Sequence, residues 1–314
     1  MPRLPPAEKL PLAARKNVRD AWENNKADLE LQLSEILGTP WTTDINPAAI
    51  WPYGASDSYA KQSPGDCIKS YVEGAIYQIK YLTGRYGDGF KTEINDLAPA
   101  HILTLDVEET SPPRFSYGGC DIADGKLRIL FVENDIGVNI SNCLTENNLF
   151  SALNAAPSSK PFTFFVRESI RNDYDSKIAE TRHKIAQLLN KADEEVTLAP
   201  NFDDVFAKLQ EASKKKGSSL RDDWQKVLGG FIHSYFEALA SHMAYSKFGE
   251  DELLQEGFLE AVSTNKAVFR IVDKLQYDSY CECDIDDGIL YLQTTAENFG
   301  TNIDYVAQKL IDRL

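Results

Sequence analysis

Several things are missing from this chain, and each absence removes a class of function. No run of about 18 apolar residues occurs, so no membrane-spanning helix is expected. Residues 1–20 contain Pro2, Pro5, Pro6 and Pro11 and no apolar stretch, so no secretory leader is read there. Positive charge is scarce: 33 Lys and Arg stand against 48 Asp and Glu, a formal charge of −15. A nucleic-acid partner needs a basic face, which this balance does not supply. The one basic run, Lys214-Lys215-Lys216, precedes Gly217-Ser218-Ser219 and reads as a solvated loop. The four histidines (His101, His183, His233, His242) show no metal-ligand spacing. There is no Walker lysine, no nucleophile-elbow Gly-x-Ser-x-Gly and no His-Glu-x-x-His. The glycine-rich Gly84-Arg-Tyr-Gly87-Asp-Gly89 lacks the strand-then-helix setting of a dinucleotide fingerprint and reads as the end of a helix. No organic cofactor and no metal are expected. Five cysteines are an odd number, and without an export signal they read as free thiols in a reducing cytoplasm.

What is present is a core-forming, acidic composition, 43% hydrophobic with 26% charged residues, over 314 residues. That length suits two ordinary domains. A self-comparison supports the division. Ser116–Ile140 aligns without gaps to Ser279–Ile303, with 11 of 25 positions identical, among them Cys120/Cys283, Asp121/Asp284, Gly125/Gly288 and Asn139/Asn302. Ile68–Glu73 aligns with Ile232–Glu237, and Asn17–Leu37 with Ser169–Leu189, in the same order. The chain therefore reads as an internal duplication, one α+β unit over 1–158 and a second over 159–314. Two such units are expected to pair in a pseudo-twofold arrangement. Further homodimerisation stays open.

Each unit should begin with a helix (12–37, stopped by Gly38-Thr39-Pro40, and 169–192) and continue with a second (66–83, stopped by Gly84, and 219–246). Strands are read at 101–107 and 267–272. Hairpins follow, with turns at Ala123-Asp124-Gly125 and Asp286-Asp287-Gly288, because Asp-Gly between apolar runs favours a type I′ turn. Gly137-x-Asn139 and Gly300-x-Asn302 read as caps of a closing helix, whose second copy carries the stripe Ile303, Val306, Leu310, Leu314. The expected architecture is helices on one face of a small antiparallel sheet.

The two halves differ most between their first and second helices. There the first carries residues 39–66, with Trp41, Trp51, Tyr53 and Tyr59 among four prolines, while the second carries an amphipathic helix and a polar loop. A stiff loop with large amphipathic rings suits a binding surface, and Asp44, Asn46 and Asp57 supply hydrogen-bonding groups beside the rings. The same tryptophans also suit a plug over the core. Two classes of function follow. One is a protein that binds a small molecule or protein ligand through Trp41, Asp44, Trp51, Tyr53, Tyr59 and Glu73. The alternative is a hydrolase, lyase or isomerase that uses carboxylates such as Asp44, Glu73 and Glu237 as acid and base. The Asp-rich hairpin turns and Cys281-Glu-Cys283 are assigned to turn formation and burial rather than to metal.

Overall fold

The first helix of each half contains one widened turn. In the computed structural model, which describes residues 3–314, helix α1 (12–37) passes through a π-helical turn at Val18–Glu23. Helix α4 (164–175) ends in another at Ile170–Asp175. Each turn buries one aromatic ring, Trp22 or Tyr174. A glycine explains both. A Cβ on Gly65 would lie 2.7 Å from Val18 Cα, and one on Gly229 would lie 2.8 Å from the Ile170 nitrogen, so only glycine permits this approach of backbones. Side chains lock the contact: Asn17 Oδ1 accepts from Gly65 N at 2.7 Å, and Ser169 Oγ accepts from Gly229 N at 2.9 Å.

The chain divides into two compact units, the first ending at Phe164 and the second beginning at Phe165. In the first, α1 leads to the three-residue strand β1 (Thr42–Asp44), the long helix α2 (Pro64–Leu97) and strand β2 (Ile102–Val107), a β-α-β crossover. The hairpin of β3 (Gly118–Ala123) and β4 (Lys126–Phe131) and helix α3 (Glu146–Ala155) complete it. The second unit runs through α5 (Ile178–Leu188), β5 (Thr197–Ala199), α6 (Phe202–Ser213), α7 (Trp224–Tyr245), α8 (Glu252–Ala261), β6 (Lys266–Ile271), β7 (Cys281–Asp286) and β8 (Ile289–Thr294).

The fold is mixed α/β with two four-stranded mixed sheets, and this corrects the antiparallel expectation. Strand order is β1-β2-β4-β3 in one sheet and β5-β6-β8-β7 in the other. In each, three neighbouring strands are parallel and only the hairpin pair is antiparallel. Hairpins announce themselves locally through their turns. The parallel pairs join strands that are not sequence neighbours, β1 with β2 across a long helix and β2 with β4 past the intervening β3, and no short-range pattern marks them. Both hairpin turns have positive φ at two successive residues, Asp124-Gly125 and Asp287-Gly288, the geometry of a type I′ turn.

Other expectations also change. Helix α2 does not stop at Gly84. It bends at Gly87, which has φ 72° and ψ −160°, and then continues to Leu97. Asn139 and Asn302 cap no helix with their side chains. They sit at φ 48° and 49°, while the amides of Gly137 and Gly300 donate to Tyr71 and Tyr235 hydroxyls at 2.9 and 3.3 Å. The expected closing helix of the second unit is replaced by short 3₁₀ turns at Ile303–Tyr305 and Ile311–Arg313, although Val306 and Leu310 are buried as the stripe requires.

One face of the first sheet is core. Leu103, Leu105, Val107, Cys120, Ile122, Leu127, Ile129 and Phe131 alternate inward and are buried. The other face carries Asp44, Thr104, Asp106, Asp121, Lys126 and Arg128, and it forms the candidate site.

Candidate functional site

Register sets the site. Across the first sheet Asp44 pairs with Thr104, Thr104 with Arg128, and Arg128 with Asp121, a polar row spanning all four strands. Residues in register share a face, so these four side chains stand side by side. The same row of the second sheet is Ala199, Val268, Tyr291 and Asp284. Three of its four members are uncharged there. Arg270 also folds over the Tyr291 ring, 3.7 Å from its centroid, and donates to Gln293 at 2.6 Å.

Over the polar row of the first unit lies a cavity of about 670 Å³, within the range of small-molecule sites. Its charged lining is balanced, with Arg3, Lys126 and Arg128 against Asp44, Asp106 and Asp124. Lys126 Nζ donates to Asp44 at 2.9 Å. Arg128 grips Asp121 with two bonds of 2.7 and 2.8 Å, the bidentate geometry that favours arginine. Burial pushes the Asp121 carboxyl up, but bonds from Arg128 and Arg114 outweigh it and hold the group below the usual range. One wall is the N-terminal segment. Arg3 reaches Asp106 at 2.8 Å and Glu109 at 2.5 Å, Leu4 N donates to Tyr53 Oη at 2.9 Å, and Ala7 N donates to Ala48 O at 2.9 Å. In the floor, Thr104 is 8% exposed, and among the described residues its hydroxyl has no hydrogen-bond partner.

Of the residues expected to bind, the structure brings Asp44 and Tyr53 to this cavity, with Asn46 beside them. Trp41 belongs to the core: it is 1% exposed, its indole N–H donates to Asn95 Oδ1 at 2.9 Å, and its ring lies against His101. Trp51 is half-buried under Lys61, whose Nζ stands 3.5 Å from the ring centroid. Tyr59 is exposed, with its hydroxyl 3.3 Å from Ser70 Oγ. Glu73 lies on the outer face of α2, 3.6 Å from Lys69. None of these four lines the cavity. Thr104, Asp106, Lys126, Arg128 and Arg3 were missed. The signal in the sequence was the alternation Thr104-x-Asp106 and Lys126-x-Arg128; the contrast with Val268 and Tyr291 comes from the register of the second sheet.

Three other polar clusters serve structure. Glu108, fully buried, accepts from Thr110 N and Oγ1 and from Arg114 Nε at 2.9, 2.6 and 2.9 Å, fixing the loop between β2 and β3. Burial pushes the Glu108 carboxyl up, and the bonds from Arg114 and Thr110 reverse the shift and hold it below the usual range. In the second unit Glu282 does the same from a different strand, accepting from the amides of Gln276, Tyr277 and Asp278 and from Gln293. Glu237, the counterpart of Glu73, accepts from Thr181 at 2.7 Å and Lys184 at 3.0 Å, with His233 3.0 Å from the same hydroxyl. The Thr181 proton is committed to Glu237, and the residue is 1% exposed, so this hydroxyl is not placed as a nucleophile. All five cysteines are buried and free, and burial pushes the Cys67, Cys143, Cys281 and Cys283 thiols up to about 12. Among the described residues no three His, Cys, Asp or Glu side chains are grouped to hold a metal ion, and no helix is long and apolar enough to cross a membrane.

The chain matches no protein-family model, and no curated protein or solved structure is similar to it.

Proposed function

We propose that the protein binds a small molecule in the cavity over the polar face of the first sheet. The observation that carries this reading is the contrast between two rows in the same register: Asp44-Thr104-Arg128 in the first sheet and Ala199-Val268-Tyr291 in the second. The two sheets share strand order, strand sense and turn geometry, so the fold does not require the polar row. The apolar row is the simpler solution, because each buried polar group adds a desolvation cost that apolar side chains avoid. A row that stability does not demand is the place to look for function.

The reading rests on a companion proposal, that the two units descend from one duplicated ancestor and that ligand binding is confined to the first. Matched glycines at Gly65 and Gly229, π turns at Val18 and Ile170, and tyrosine-to-glycine bonds at Tyr71 and Tyr235 support common descent. Free, buried thiols fit a reducing compartment.

Thermal-shift screening of the full chain against a panel of small metabolites tests the binding proposal. Compounds that raise the melting temperature should lose that effect in Asp44→Ala and in Arg128→Leu, and keep it in Asp284→Asn of the second sheet. Hits that survive both first-unit substitutions contradict it.

A further inference from the structure

The lining of the cavity also points to the chemistry of its occupant. We infer that the ligand is a neutral polyhydroxylated molecule of mono- or disaccharide size, held through the Thr104 hydroxyl and the unused donors and acceptors of the surrounding ion pairs. This rests on the reading that the first-unit cavity is a binding site.

Two independent observations lead there. The first is that every cation of the lining is committed to a carboxylate, and the one lining carboxylate without a partner among the described residues, Asp124, stands exposed at the hairpin turn. Lys126 faces Asp44 at 2.9 Å, Arg3 faces Asp106 at 2.8 Å, and Arg128 is held by Asp121. An anionic ligand must detach a cation from its carboxylate, and a cationic ligand seated over the polar row, away from Asp124, must detach a carboxylate, so over the row either one exchanges a pair it breaks for a pair it makes. A hydroxyl breaks nothing. It takes the second oxygen of Asp44 as acceptor, a further N–H of Lys126 as donor, or the Asn46 amide as either. Vicinal hydroxyls, each both donor and acceptor, match a surface on which carboxylates, ammonium and amide alternate. Pro5, Pro6 and Ala49 complete the lining with apolar surface for the C–H face of such a ring.

The second observation is Thr104. A hydroxyl more than nine-tenths buried and without a partner is rare in folded proteins and calls for a cause. The exposure this residue keeps belongs to its other atoms. Thr104 lines the cavity while its hydroxyl is sealed from solvent, so a bond to an occupant requires the side chain to turn to another staggered rotamer. The need for this group is not structural, because Val268 occupies the same register position between Ala199 and Tyr291. The hydroxyl is uncharged and both gives and accepts one proton, so it complements another hydroxyl and leaves the charge balance intact.

Isothermal titration of the full chain tests the inference. Glucose, maltose and xylitol serve as neutral probes, with glucosamine, glucose 6-phosphate and glutamate as charged comparators. The expected result is that at least one neutral probe binds more tightly than every charged comparator. Thr104→Val should then weaken that probe about tenfold, the share of one hydrogen bond to a buried group, while Thr104→Ser stays close to wild type. Circular dichroism shows whether each variant folds. Tighter binding of a charged comparator, abolished by Asp44→Ala, overturns the ligand class and leaves the cavity reading standing. Neutral binding indifferent to Thr104→Val overturns the assignment of the hydroxyl. No binding by any probe, together with no Asp44-dependent hit in the wider metabolite screen, overturns both readings.

Discussion

Replacing Thr104 by valine exchanges a buried hydroxyl for a methyl group of nearly the same shape. Thr104 is 8% exposed, and among the described residues its Oγ1 has no hydrogen-bond partner. An unsatisfied buried polar group costs about 1–3 kcal/mol in mutational series. Thr104→Val should therefore raise the stability of the free protein by about 1 kcal/mol, taking the low end because the unfolded reference also changes. For a unit of this size that corresponds to an upward shift of about 2–4 °C in the midpoint. Thr104→Ser keeps the unsatisfied oxygen and removes a buried methyl, so it should lower stability by about 1 kcal/mol. Differential scanning calorimetry without ligand separates the two. A clear fall in the midpoint of Thr104→Val would show that the hydroxyl is bonded in the free protein, and the argument from its unsatisfied state would fail. The same substitution is expected to stabilise the fold and weaken binding, a pairing that marks a group retained for function rather than stability.

Other positions give further expectations. Gly65→Ala and Gly229→Ala should each destabilise by about 3 kcal/mol, because the new methyl overlaps the backbone of α1 or α4; Gly84→Ala, in open space inside α2, should gain about 0.5–1 kcal/mol, and urea midpoints that rank the three otherwise would refute the close approach. Glu108→Gln should weaken the first unit by about 2 kcal/mol, through loss of charge-assisted bonds, and speed amide exchange at Thr110; protection of that amide equal to wild type would contradict the role given to Glu108. The Asp121 and Glu108 carboxyls are held low in the folded state, while their unfolded values lie near about 4. Their contribution is thus complete above that value and is lost as the pH falls below it through the folded-state values. Urea midpoints between pH 6 and 3 should fall less steeply in Asp121→Asn than in wild type, and identical slopes would refute the assignment.

The fold was legible where structure is local. Helix α1 follows from its Ala, Leu, Glu and Lys content and its Gly38 stop, and the hairpins follow from Asp124-Gly125 and Asp287-Gly288. The pairing of β1 with β2 was not legible. Thr42–Asp44 is three residues long, and its partner Ile102–Thr104 lies beyond a 34-residue helix. The aromatic segment 39–66 was read as one surface, but its rings have separate tasks. Trp41 fills the core, Trp51 stacks with Lys61, and Tyr53 joins the cavity through the bond from Leu4 N. Side-chain type cannot separate these tasks, because a tryptophan beside proline fits a plug and a platform equally well. The polar row escaped notice for a different reason. Thr104 and Arg128 are 24 residues apart and meet only through strand register, so comparison with Val268 and Tyr291 becomes informative once the sheets are known.

The most direct test of the first-unit cavity as the binding site is crystallographic. Crystals of the full chain soaked with a fragment library rich in neutral sugars and polyols should show fragments over the Asp44-Thr104-Arg128 row, with an oxygen at hydrogen-bond distance from Thr104 Oγ1. An empty cavity in crystals that hold fragments over the Ala199-Val268-Tyr291 row, or elsewhere in the second unit, would contradict the account.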